Sequence, residues 1–285
     1  MGLSTTAQHS DGFHQSAYNL MNLDFLQWLC SLVQDNIFGK HQDHILEKNT
    51  ADGTIVLVPG FTCHPSTLNI LAECLRVHLW ASYNIIFAKP NTSWWLNHID
   101  DTKSLGIKLL SNLRDIHGEY EVNGNMIIIG HSLWWPVTIQ AVLNSTKNKR
   151  KQKNISWKEL PNEMNIHMIA SPLWVVPTAK YPFGIFLPAL TELRKLRLFT
   201  DREISIFLSE IWSLTTHITG KDSLVPQTSQ DIKQYTLPKF LQEKVNQILH
   251  PYDNHCTGIQ GTWAKILAQK IVDQILWIHK STVLQ

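Results

Sequence analysis

From residue 54 onward, short runs of Val, Ile and Leu alternate with longer stretches in which apolar residues recur every three to four positions. A short apolar run bounded by turn residues marks a strand, and the wider spacing marks a helix with one buried face. The pattern predicts strands at Thr54–Val58, Asn84–Ala88, Met126–Ile129, Asn165–Ala170, Thr215–Thr219 and Val245–Leu249. Helices are predicted near Ser66–Leu79, Asp100–His117, Leu133–Leu143 and Thr262–His279. The first three strands are apolar at nearly every position, as a sheet covered on both faces requires. Strands alternating with helices in this way predict an α/β domain with a mainly parallel sheet, over residues 51–285.

Two regions fall outside the alternation. Residues 1–50 read as a polar arm followed by an amphipathic helix over Leu23–Ile37, too short to be a domain. Pro172 to Ser213 is longer than an ordinary connection, and such segments in compact domains usually carry function. Its apolar stretches, Leu173–Val176 and Phe183–Leu187, suit a cap or lid over an apolar pocket, and a pair of packing helices fits the same pattern.

Composition narrows the class. Of 285 residues, 44% are hydrophobic and 17% charged, as in a folded soluble chain. The net charge of +2 offers no nucleic-acid surface. The basic cluster Lys147–Lys153 is expected as a solvated loop, with contact to an anionic membrane surface as the alternative. The chain opens without a basic-then-apolar leader, and the apolar run Leu173–Leu190 is broken by three prolines and Lys180, so no transmembrane segment is expected and the location is read as cytoplasmic. Cys30, Cys63, Cys74 and Cys256 form no paired motif. The close-set His41-Gln42-Asp43-His44 lacks a third ligand nearby, and no metal is expected.

The candidate chemistry sits at strand ends. Met126–Ile129 runs into Gly130-His131-Ser132-Leu133, the start of a G-x-S-x-G turn that lifts a serine nucleophile out of the backbone. A serine hydroxyl needs a base, a carboxylate to hold that base, and donors for the oxyanion. Thr54–Val58 leads into Pro59-Gly60-Phe61, where the Phe61 N–H is placed to serve as one donor, with the Leu133 N–H as the other. Thr215–Thr219 leads into Gly220-Lys221-Asp222, which puts Asp222 where ligands bind in open sheets. Val245–Leu249 is followed by His250 and His255; His255 has the better placement for the base, and His250 beside Pro251 suits packing. The order Ser132, Asp222, His255 is that of a Ser…Asp…His triad.

Over residues 54 to about 275, the stretches VLVPGFTCHPSTLNILAECL, NIIFAKPNTSWWLNHIDD, MIIIGHSLWW, HITGKDSLVP and NHCTGI resemble the α/β-hydrolase superfamily, specifically its bacterial esterase and triacylglycerol-lipase branch. The resemblance implies an α/β-hydrolase fold and cleavage of a small-molecule or lipid acyl ester through an acyl-enzyme. Ser132 would be the nucleophile, His255 the base and Asp222 the acid, with Phe61 and Leu133 as oxyanion donors and no cofactor. A thioesterase, an acyltransferase and a catalytically inactive binding protein on the same fold share these features.

The chain departs from that pattern at tryptophans. Trp134 and Trp135 stand where the resemblance implies small residues, and overpacking there is expected to distort the turn. Trp94, Trp95 and Trp174 also stand at expected glycines. The chain has 11 Trp and 13 Gly, where average usage near 7% would give roughly 20 glycines. UGA codons read as glycine in the source would account for this, as would true divergence or an aromatic binding groove. The gene decides: TGA at codons 94, 95, 134, 135 and 174 is the result the decoding account predicts, and TGG removes it.

Overall fold

In the computed structural model, which describes residues 40, 42–46, 51–60, 65–79, 82–88, 101–120, 125–151, 160–161, 163–173, 198–222, 225–253, 259 and 261–283, every predicted strand is present. They are β1 (Gly53–Val58), β2 (Tyr83–Phe87), β3 (Asn125–His131), β4 (Glu163–Ile169), β5 (Ser213–Thr219) and β6 (Val245–His250). All five pairings are parallel and the spatial order is β2-β1-β3-β4-β5-β6. The order reverses between β1 and β3, and in such sheets ligands bind outside the carboxyl ends at that point.

Alternate residues of each strand feed two cores. Ile55, Leu57, Ile127 and Ile129 pack beneath α1 (Asn69–Leu79) and the last helix, α7 (Gly261–Val283), with Leu71, Leu75, Leu267 and Ile271. On the other face Val56, Val58, Met126 and Ile128 meet α2 (Thr102–Glu119), α3 (Trp134–Lys151) and α4 (Asp201–Ser209). Gly106 lets α2 and α3 approach closely, since a Cβ there would lie 2.6 Å from the Gln140 Cβ. Two short helices, α5 (Gln227–Gln230) and α6 (Lys239–Gln242), lie between β5 and β6.

Several boundaries differ from expectation. Helix α3 continues through Lys151, so Lys147–Lys151 form its carboxyl-terminal end and not a loop. The helix dipole favours positive charge there. Of the segment expected as a cap, residues 174–197 lie outside the described residues. Its far end is α4, opened by a Thr200–Glu203 capping box and packed into the core through Ile204, Phe207 and Leu208. The helix expected at Leu23–Ile37 also lies outside the described residues. Further along the same arm, His44 forms an antiparallel bridge with Ile85, and the Asp43 carboxylate accepts the Phe87 N–H at 2.9 Å. Asp43 thereby helps cover the outer edge of β2, where unpaired N–H groups would otherwise face solvent. No helix among the described residues is long and apolar enough to cross a membrane.

Candidate active site

Ser132 follows β3 at the carboxyl edge of the sheet and precedes α3 by two residues. Its φ is 59°, a left-handed backbone conformation that side chains other than glycine and asparagine seldom adopt. Such strain persists only where surrounding structure imposes it. Here the Ser132 N–H donates to the Ile169 carbonyl at the end of β4 (2.9 Å), and the Trp135 N–H closes a turn on the Ser132 carbonyl (3.3 Å). The residue is half-buried. Leu133 is buried just before the first turn of α3, where backbone N–H groups lack intrahelical partners and the helix dipole favours negative charge.

Asp222 lies just past β5, two strands from Ser132 on the same edge of the sheet. The buried Asp222 carboxylate accepts from the Thr219 hydroxyl (3.0 Å) and the Val225 N–H (2.8 Å). Behind it, the buried Gln230 amide donates to Thr219 Oγ1 (3.0 Å) and to the Val225 carbonyl (2.6 Å), while its oxygen accepts the Thr219 N–H (3.1 Å). Gln230 therefore braces both ends of the aspartate loop. Nothing in its sequence surroundings marks it.

The predicted site residues Phe61 and His255 lie outside the described residues, as do Trp94, Trp95, Trp174, Cys30, Cys63 and Cys256. The turn leading to His255 is described, and it is stitched to the aspartate loop. The Gly220 N–H donates to the His250 carbonyl and the Lys221 N–H to the Asp253 carbonyl, both at 2.9 Å. Gly220 permits this closeness, because a Cβ there would lie 2.8 Å from Pro251 backbone atoms. Gly220→Ala should separate the loops, lowering stability by about 1–3 kcal/mol, as thermal melting would measure.

Both ring nitrogens of His250 face buried neighbours. Its Nε2 lies 3.1 Å from His217 Nδ1, and its Nδ1 lies 3.6 Å from Asp253 Oδ2. His217 Nε2 in turn lies 3.3 Å from His167 Nδ1. Burial holds His167 and His250 down to about 4, with the Lys270 charge adding to the effect on His250; His217 is pushed well below the ordinary histidine range by the same burial and by its neighbours. At His167 and His250 the unfolded chain takes up a proton near the ordinary value of 6.5 and the folded chain only near 4. Stability should therefore decline as pH falls from about 6.5 towards 4, and thermal melts across that range test it. Burial raises the Asp253 carboxyl, which works in the opposite direction at the acid end.

Trp134 and Trp135 are both buried, Trp135 completely, with its ring edge-to-face against Phe207 at 5.2 Å. Neither indole N–H has a hydrogen-bond partner among the described residues. The expected distortion of the turn is not seen: β3 and α3 are regular on either side of Ser132. The α4 side of the core holds the Trp135 ring.

No protein-family model and no curated protein sequence matches the chain. Solved structures do. A fungal esterase from Rhizomucor miehei superposes with a TM-score of 0.59 at 13% identity, covering 88% of this chain and 89% of its own. Est1E from Butyrivibrio proteoclasticus, solved with ferulic acid, gives 0.55 at 9% identity over 82% and 93%. Lipase BlEst2 from Bacillus licheniformis gives 0.55 at 13% identity over 81% and 97%. The six-stranded parallel sheet with helices on both faces is an α/β-hydrolase fold. Both fungal and bacterial enzymes share it at similar levels, so the likeness does not single out the bacterial branch.

Proposed function

We propose that this protein is a serine hydrolase of carboxylic acyl esters, with Ser132 as nucleophile. The observation that carries the reading is the left-handed backbone of Ser132 in a strand-to-helix turn at the carboxyl edge of the sheet. In this reaction Ser132 Oγ bonds to the acyl carbon as His255 takes the hydroxyl proton. The carbonyl oxygen becomes an oxyanion held by the N–H groups of Phe61 and Leu133. The carbon–oxygen bond to the alcohol then breaks, and the alcohol leaves with the proton from His255. Water repeats the sequence on the acyl-enzyme, giving up a proton to His255; release of the acid returns that proton to Ser132. Asp222 holds His255 in the orientation the transfers need. The esterase and lipase names of the structural neighbours support this class of substrate.

Initial rates on nitrophenyl esters of increasing acyl length test the proposal. Saturable hydrolysis is expected, reduced in Asp222→Ala and His255→Ala by factors on the order of 10⁴ or more. Hydrolysis that persists at wild-type rates in both variants would remove the triad. Thioesters and alternative acyl acceptors run beside the esters separate a thioesterase or acyltransferase from an esterase. The buried tryptophan pair, with its two unpartnered donors beside the nucleophile, favours one second reading, an inactive hydrolase fold used for binding. A folded chain inert on every ester would support it.

A further inference from the structure

We propose that His217, His250 and Asp253 are positioning residues for the turn that carries His255, forming a buried relay that crosses the sheet diagonally and ends two residues before that histidine. The inference rests on the assignment of His255 as the base.

The relay follows from strand register. Thr215 pairs with His167 and Ile248 with His217, so each histidine lies two residues further along than the preceding strand's partner position. A two-residue step keeps the side chains on one face of the sheet. The line therefore climbs from the middle of β4 to the carboxyl end of β6, where the turn begins. Its members are His167, His217, His250 and Asp253, all buried beneath α7 in a face otherwise built from Ile127, Ile129, Ile169 and Leu267. Polar groups placed in such an apolar layer cost stability unless each is partnered.

The ring nitrogens do not converge on a point that a metal could occupy. His217 turns Nε2 to one neighbour and Nδ1 to the other, and among the described residues no three such side chains form a metal cluster. What remains is a chain of donors and acceptors. A neutral imidazole has one of each, and with the Asp253 carboxylate 3.6 Å from His250 Nδ1 one arrangement sets a donor opposite an acceptor at every step, while Asp253 Oδ1 has no hydrogen-bond partner among the described residues. His250 directs Nδ1–H at Asp253 and accepts at Nε2 from His217 Nδ1–H, which accepts at its own Nε2 from His167 Nδ1–H. Lys270 on α7, the one ammonium among the described residues acting on His217, His250 and Asp253 together, and burial both oppose a positive charge within the relay.

At its upper end the relay is joined to the catalytic loops. The carbonyls of His250 and Asp253 hold the N–H groups of Gly220 and Lys221, directly before Asp222. Fixing the His250 ring thus fixes the spacing between the aspartate loop and the turn that delivers His255. A displacement of about 1 Å at such a site can cost on the order of 10²-fold in rate.

The test is a graded series, His250→Gln, His217→Gln and His167→Gln, with Asp253→Asn beside it, each scored for kcat, KM and thermal stability. The expected result is a loss of kcat with little change in KM, largest at His250 and Asp253 and smallest at His167, while all three histidine variants lose stability. Nitrogen-detected NMR of the wild type should show His217 and His250 as neutral Nδ1–H tautomers, with the pattern lost in Asp253→Asn. An active wild type whose kcat is unchanged in His250→Gln and Asp253→Asn would overturn the inference and leave the hydrolase reading intact. An inert wild type with the tautomer pattern present would instead overturn the hydrolase reading, and the positioning role with it.

Discussion

Ser132→Gly should abolish ester hydrolysis while making the protein more stable. The left-handed conformation at φ 59° costs an L side chain roughly 1–2 kcal/mol, and glycine adopts it without that cost. Glycine's extra freedom in the unfolded chain takes back about 0.5–1 kcal/mol. A net gain of about 0–1.5 kcal/mol remains, which for a domain of this size moves the melting temperature up by at most a few degrees. Loss of the nucleophile costs rate by factors on the order of 10⁴–10⁶. Opposite movement of activity and stability at one residue separates a strained nucleophile from a residue that only supports the fold. A melting temperature that falls in Ser132→Gly would mean that the turn is not strained.

The second large effect is expected at the tryptophan pair. Trp134→Gly combined with Trp135→Gly should raise hydrolysis and stability together. Two buried indole N–H groups lack partners, and each such donor costs about 1–3 kcal/mol. Against this, removing two large aromatic side chains from a rigid core costs about 3–5 kcal/mol each, which exceeds the relief of the two donors unless the space they leave is closed. The balance is set by how far the first turn of α3 closes onto the space. Closure of that turn onto the space is what a rise in both properties would report. A fall in both properties would show that Trp135 and its contact with Phe207 belong to the working structure. Peptide mass spectrometry of the protein from its natural source gives the same answer directly, by reading glycine or tryptophan at 134 and 135.

The sheet was readable from the sequence because strands such as Ile55–Val58 and Met126–Ile129 are apolar on both faces, and only a sheet covered on both sides accepts that. Strand ends shifted by one or two residues, since hydrogen bonding continues past the apolar run, as at Gly130 and His131. The turns that hold Ser132 and Asp222 were readable because each follows an apolar strand. The His167–His217–His250 relay was not. Its members are 50 and 33 residues apart, and only the register of three strands brings them together. Gln230 was hidden for the same reason: its partners Thr219 and Val225 are set by the fold of the loop, and a glutamine in a polar segment carries no sign of burial. The basic stretch after Leu143 was misread because charge alone does not distinguish a loop from a solvated helix end.

The most direct measurement of the central claim is covalent labelling of the full chain by a fluorophosphonate probe, with the modified peptide identified by mass spectrometry. The account predicts one labelled residue, Ser132, with labelling lost in Ser132→Ala and slowed in Asp222→Ala and His255→Ala. A folded wild-type protein that takes up no probe, or takes it up at another serine, would contradict it.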